Sequence, residues 1–128
     1  MSQIAYLSSG GNVGPISGQV TTVGAVTADP IVINLGSVAG TYCIEARIAA
    51  FNAATPAGGS YQLFGGVRTT GAAGVLIGQP DLVVNEEAAL VPCVVDLVVV
   101  GNTAIIRVTG VALLTIDWSA TAFYTRVT

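Results

Sequence analysis

The side chains that most often carry acid–base and nucleophilic chemistry are scarce in this sequence. Histidine, the commonest catalytic base, is absent, so any nucleophile would need another partner. Cys43 has Glu45 two residues along the same strand face, a poor activator for a thiol. The serines lie in turns without the strand–turn–helix setting of a nucleophile elbow. Asp81, Glu86, Glu87, Asp96 and Asp117 could supply paired carboxylates, but their spacing reads better as a solvated loop with isolated surface charges.

Metal and phosphate chemistry meet the same shortage. Zinc lacks its usual set of several Cys and His ligands. Asn85, Glu86 and Glu87 offer oxygens for calcium, yet no loop has the alternating ligand positions of a calcium motif. Gly10-Gly11-Asn12-Val13-Gly14 is not followed by Lys, so it is no phosphate loop. We therefore expect no enzyme, no cofactor, and no catalytic, cofactor-binding or metal-binding residue, and we assign no ligand-binding residue. Trp118 is the single tryptophan, with Tyr124 on the same strand face through Ala120 and Ala122. It reads as a core tryptophan with small alanines making room, against the sharper alternative of a sugar-stacking platform. Tyr6, Tyr42 and Tyr61 are open to either reading.

Composition narrows the class further. Of 128 residues, 52% are hydrophobic and only 9% charged, too apolar for a disordered chain and long enough for one domain with a real core. So few charges cannot cover an ordinary soluble monomer. Part of the surface must be Thr, Ser, Asn and Gly, and part is expected to lie against other copies. The four positive charges, Arg47, Arg68, Arg107 and Arg126, are scattered through a chain of net charge -3, which argues against a nucleic-acid partner. The strongest apolar run, Leu97 to Ile106, is broken by Gly101, Asn102 and Thr103, so no membrane-spanning helix is expected. We expect no secretory signal either, because no basic leader precedes an apolar core. Cys43 and Cys93 are expected in strands; a bridge between them is open, and buried free thiols are the plainer reading.

Glycine punctuates the whole length. Residues 1–28 carry no charge and read as an extended, glycine-rich arm or short hairpin, packed on a neighbour. From residue 29 to 128, short apolar runs recur between turn signals. They are Pro30 to Leu35, Thr41 to Phe51, Ser60 to Arg68, Gly74 to Ile77, Asp81 to Val84, Leu90 to Val100, Thr103 to Thr109 and Leu113 to Val127. Gly65-Gly66 suggests a bulge. Val100-Gly101-Asn102-Thr103 is the best hairpin signal, with two central residues able to take positive φ. Glu45 to Phe51 also fits a helical face through Ile44, Ile48 and Phe51. Period two instead groups Tyr42, Ile44, Ala46, Ile48 and Ala50 against Glu45 and Arg47, and the Thr41-Tyr42-Cys43-Ile44 lead-in decides for strand.

Two faces speak to assembly. Val91, Cys93, Val95, Leu97 and Val99 share one side of their strand, while Pro92, Val94, Val98 and Val100 share the other with Asp96. A strand apolar on both faces is covered on both sides, and the second cover is expected from another subunit. Thr103, Ile105, Arg107 and Thr109 form a mostly polar face opposite Ala104, Ile106 and Val108, which fits one wet side.

The segment Gly101-Asn102-Thr103-Ala104-Ile105-Ile106-Arg107-Val108-Thr109-Gly110, followed by Leu114-Thr115-Ile116-Asp117-Trp118-Ser119-Ala120, resembles the closing hairpin of small β-sandwich modules in virion proteins. Such modules occur in tailed-phage and giant-virus structural proteins, tail and head fibres included. Tyr6 to Pro15 is similar to their glycine-rich lead-in, and Gly40-Thr41-Tyr42 with Ile44, Ala46 and Ile48 to one of their strands. Asp117 stands where Asn is commoner. The resemblance implies a virion component, often trimeric, at a fibre or other surface, and no catalytic residues. Together these readings give an all-β chain: an antiparallel β-sandwich of jelly-roll type with an extended N-terminal arm. It is expected to self-assemble, a trimer being favoured, in a virion put together in the host cytoplasm. Other virion proteins and host-surface glycans are the further partners considered. A glycan- or receptor-binding module and a subunit of a non-viral extracellular filament are the alternative functions.

Overall fold

Gly40–Asn52 buries Tyr42, Ile44, Ala46, Ile48 and Ala50 and turns Cys43, Glu45 and Arg47 outward, so the segment with two possible periods is a strand. A computed structural model describes residues 10–128. Its eight strands are β1 (Gly10–Val23), β2 (Thr27–Asn34), β3 (Gly40–Asn52), β4 (Ala57–Thr69), β5 (Gly74–Glu86), β6 (Val94–Val100), β7 (Thr103–Thr109) and β8 (Thr115–Val127). They form two antiparallel sheets, β1-β8-β3-β4-β5 and β2-β7-β6, packed as a sandwich. First strand pairs with last and second with seventh, the nesting of a rolled-up ribbon. β3, β4 and β5 then run as a plain meander in one sheet, so the roll is not carried through the middle of the chain. Short connections enforce that meander. In the first of them, Asn52 accepts the Thr55 N–H and hydroxyl at 3.0 and 2.6 Å and donates to the Thr115 carbonyl at 2.7 Å.

The boundary expected at residue 29 moves. Residues 1–9 lie outside the described residues, but from Gly10 the chain is already in the sandwich, with β1 paired along β8. It packs Ile16 and Val20 against the core, with Gly18 between them and the buried Thr22 after, and at Gly18 it makes a close backbone approach. A Cβ on Gly18 would sit 1.8 Å from the Pro30 carbonyl oxygen of β2. Only glycine allows the two sheets to meet there.

Three other elements differ from expectation. Gly74 to Ile77 and Asp81 to Val84 belong to one strand, and the bulge lies in β5 rather than at Gly65-Gly66. Register passes from Phe64–Asp81 to Gly66–Ile77, leaving Gly65 opposite Gly78, Gln79 and Pro80. The positive φ of Gly78 (72°) and the missing N–H of Pro80 place the extra residues there. The run from Leu90 is strand only from Val94: Ala88–Leu90 is a 3₁₀ turn that buries Leu90, and Pro92 follows it. The Val100–Thr103 hairpin forms as expected, but only Gly101 takes positive φ (59°). Asn102 is there for its side chain, which donates to the Gly36 carbonyl at 2.6 Å and accepts the Thr69 hydroxyl, tying the turn to both sheets.

Between the sheets Ile31, Ile33 and Leu35 meet Ile44, Leu63, Val67, Leu97 and Ile106. Each such side chain contributes about 1.5–3 kcal/mol on burial. β7 buries Ala104, Ile106 and Val108. On its other face Ile105 is also covered, between Val32 and Val98 of the flanking strands.

Candidate interaction surface on the larger sheet

Antiparallel register decides which side chains share the outer face of the five-stranded sheet. Phe123, Glu45, Phe64 and Asp81 form one row across β8, β3, β4 and β5. The next row is Ser17, Thr121, Arg47, Gln62 and Val83; then come Gln19, Ser119, Ala49, Ser60 and Asn85. Thr21, Asp117, Phe51 and Gly58 close one end of the face. Toward the other end Cys43 neighbours Ile77 across Gly66, and Arg68 neighbours Val75.

All three phenylalanines of the chain project from this face: Phe51, Phe64 and Phe123 are 50, 38 and 44% exposed. Aromatics are the residues a sandwich normally buries first, and three of them in solvent on one sheet face mark an interaction surface. Beside them the rows of short side chains leave a shallow groove of about 650 Å³, lined by Gln19, Thr21, Ala49, Phe51, Asp117 and Ser119. A smaller depression between Arg47, Gln62 and Thr121 adjoins it through Ala49 and Ser119. The Thr21 hydroxyl donates to Asp117 at 2.8 Å.

β5 is an edge strand with exposed apolar groups on both faces. Leu76, Leu82 and Val84 point toward the second sheet's side, and Val75, Ile77 and Val83 point outward. On the smaller sheet the alternate face of β6 leaves Val94 and Val100 exposed and Val98 half-buried among the described residues.

The residues weighed for chemistry are dispersed. Trp118 is 2% exposed, donates to the Thr22 hydroxyl and lies 6.0 Å from the Tyr61 ring, so the indole belongs to the core. Tyr124 tilts against Tyr42 at 5.3 Å, and Tyr42 donates to the Leu35 carbonyl at 2.6 Å. Tyr6 lies outside the described residues.

Tyr61 donates to Glu86 at 2.6 Å; burial and that hydrogen bond push its phenol well above the usual range. Glu87 accepts the Gly58 N–H, Asp96 accepts the Leu97 N–H, and Asp29 pairs with Arg107, so these carboxylates serve backbone, turn and ion-pair contacts. Asp81 and Asp117 share a face but stand on β5 and β8. Among the described residues no three His, Cys, Asp or Glu side chains converge, and Asn85, Glu86 and Glu87 do not form a common cradle.

The cysteines are free. Cys43 is exposed on the outer face, contrary to the expected buried thiol, because it has the parity of Glu45. Cys93 lies in the turn before β6, half-buried, and burial together with Glu86 raises its thiol. The four arginines are on both sheets. Among the described residues the one salt bridge, Arg107 to Asp29 at 2.7 Å, is on the smaller sheet, away from Glu45 and Arg47. Among the described residues no helix is long and apolar enough to cross a membrane.

No family model and no curated protein matches the chain. Among solved structures it is similar to the tailspike protein of Acinetobacter baumannii phage AM24, at 8% identity and a TM-score of 0.38 over 88% of this chain and 26% of that one. It is also similar to the tailspike protein of Acinetobacter phage vB_ApiP_P1, at 14% identity and a TM-score of 0.29 over 100% of this chain and 24% of that one. The chain thus spans about a quarter of the length of each.

Proposed function

We propose that the chain is a non-catalytic structural module of a virion, a surface, fibre or capsid-associated subunit that assembles with copies of itself. The observation that carries the assembly reading is β5. An edge strand of thirteen residues with Val75, Leu76, Ile77, Leu82, Val83 and Val84 all in solvent is an aggregation site unless something covers it. The virion reading rests on the likeness of Gly101 to Gly110 and Leu114 to Ala120 to the closing hairpin of virion modules. The non-catalytic reading draws support from the hydrogen bonds that occupy Asp29, Glu86, Glu87, Asp96 and Asp117.

Light scattering after size-exclusion chromatography tests the assembly. A stable trimer or another closed oligomer supports it, polymers of growing size point to a filament, and a monomer at ~100 µM overturns it. Labelling of purified particles by an antiserum against the chain tests the virion assignment.

A second reading, a module that binds glycans or a host receptor, is favoured by the groove beside Phe51. Hydroxyls, an amide, a carboxylate and an aromatic edge are the groups that hold sugars. Selective retention on an array of immobilised glycans is its test.

A further inference from the structure

We infer that the outer face of the larger sheet, from β5 across β4 and β3 to β8, is the contact between copies of this chain. The inference rests on the self-assembly reading and names its surface.

Three observations select a second copy as the occupant. The first is the position of the aromatics. Phe64 and Phe123 flank Glu45 in one row, and the outward side chains of β5 continue the apolar area to the sheet edge, so one contact covers both. The second is charge. Glu45 and Asp81 lie beside Phe64, while Arg47 and Arg68 lie in nearby rows, and none of the four forms an ion pair among the described residues. A polyanion would call for bases alone. A face that carries acids (Glu45, Asp81, Asp117) and bases (Arg47, Arg68) together fits another face with the same mixture, where acids can meet bases. The third is size. Ten residue steps along β3 and four strand widths make a face of about 34 by 19 Å, about 650 Å² in projection and of the order of the ~800 Å² that each partner buries in a stable interface.

The test uses Phe64→Lys and Phe123→Lys. Both lysines would stand next to Glu45, and the first also next to Asp81, so the isolated fold tolerates them. Val32→Lys, on the outer face of the smaller sheet, is the control. Solution mass is read together with the urea midpoint. A bulky maleimide reports on Cys43, which shares the proposed contact face.

If the inference holds, each phenylalanine variant weakens association by about tenfold or more with its fold intact, Val32→Lys does not, and Cys43 is protected in the assembled wild type. A multimer that Val32→Lys dissociates while both phenylalanine variants leave it whole overturns the inference and leaves the assembly reading standing. So does a wild-type multimer in which Cys43 reacts as a free surface thiol, an outcome that needs no substitution. A wild-type monomer overturns both, and if that monomer also binds glycans selectively, the face passes to the sugar reading.

Discussion

The indole Nε1 of Trp118 donates to the hydroxyl of Thr22 at 3.0 Å, and both side chains are buried. This bond joins β1 to β8 from inside the core, where register alone would leave the largest side chain of the sandwich with an unmet donor. Thr22→Val keeps the shape and removes the acceptor. We expect a loss of about 1–3 kcal/mol by urea denaturation. Trp118→Phe should then cost less in the Thr22→Val background than in the wild type, since the donor has already lost its partner. Additive losses would mean that the bond contributes nothing of its own.

Gly18 offers a second test of how β1 is held. Alanine there would drive its Cβ into the Pro30 carbonyl, and backbone rather than a flexible side chain must give way. We expect about 1–3 kcal/mol of destabilisation. Unchanged stability in Gly18→Ala would show that β1 does not approach β2 so closely.

How much of this could be read from the sequence depended on side-chain contrast. β3 was legible because five buried apolar residues alternate with Cys43, Glu45, Arg47 and others. The Gly101 turn and the inward Ala104, Ile106 and Val108 of β7 were legible for the same reason, while the cover over Ile105 on the opposite face was not. β1 was not, since its inward positions Ile16, Gly18, Val20 and Thr22 alternate apolar residues with a glycine and a threonine, which blurs the apolar period. Gly78 and Pro80 looked like a chain break because both are turn formers, and only tertiary pairing shows them as a bulge inside β5. The exposed face was half legible. Period two puts Phe51 on the side of Glu45 and Arg47, but phenylalanine is expected inside, and no local rule says which of two apolar faces a sandwich leaves open.

Leu113 is the one non-glycine residue with positive φ among the described residues, at 69°, and it is 99% exposed. Its side chain gains nothing from the fold, while its backbone stands in the left-handed region. Leu113→Gly should stabilise the chain by about 0.5–1 kcal/mol, the relief of strain less the extra freedom glycine has when unfolded. A lower thermal midpoint for the variant would show that the leucine is held by something other than local backbone geometry.

Acid should act through Asp29. Its carboxyl receives two hydrogen bonds from Arg107, at 2.7 and 3.1 Å, which hold it below its ordinary value of 3.8. A carboxyl lowered in the folded state stabilises the fold above the unfolded pKa, and that contribution is lost as pH falls through the folded one. The pair is exposed, so the effect is small and shrinks with salt. Urea midpoints measured from pH 5 to pH 2 should fall more steeply for the wild type than for Asp29→Asn. Parallel curves would remove Asp29 from the account.

The place of β8 has a consequence for how the molecule is made. It follows the other seven described strands along the chain, yet it lies between β1 and β3 rather than at an edge. Until it arrives, β1 has no partner in its sheet and β3 presents an open ladder on the side away from β4. Pairs of β8 with β1 join residues 92 to 117 positions apart, and pairs with β3 residues 66 to 86 apart, so closure of the larger sheet waits for β8 and is slow. A chain truncated before Thr115 should therefore hold its β3–β4–β5 meander and its β2–β7–β6 sheet with one open side between them, a state suited to capture by chaperones or by neighbouring copies.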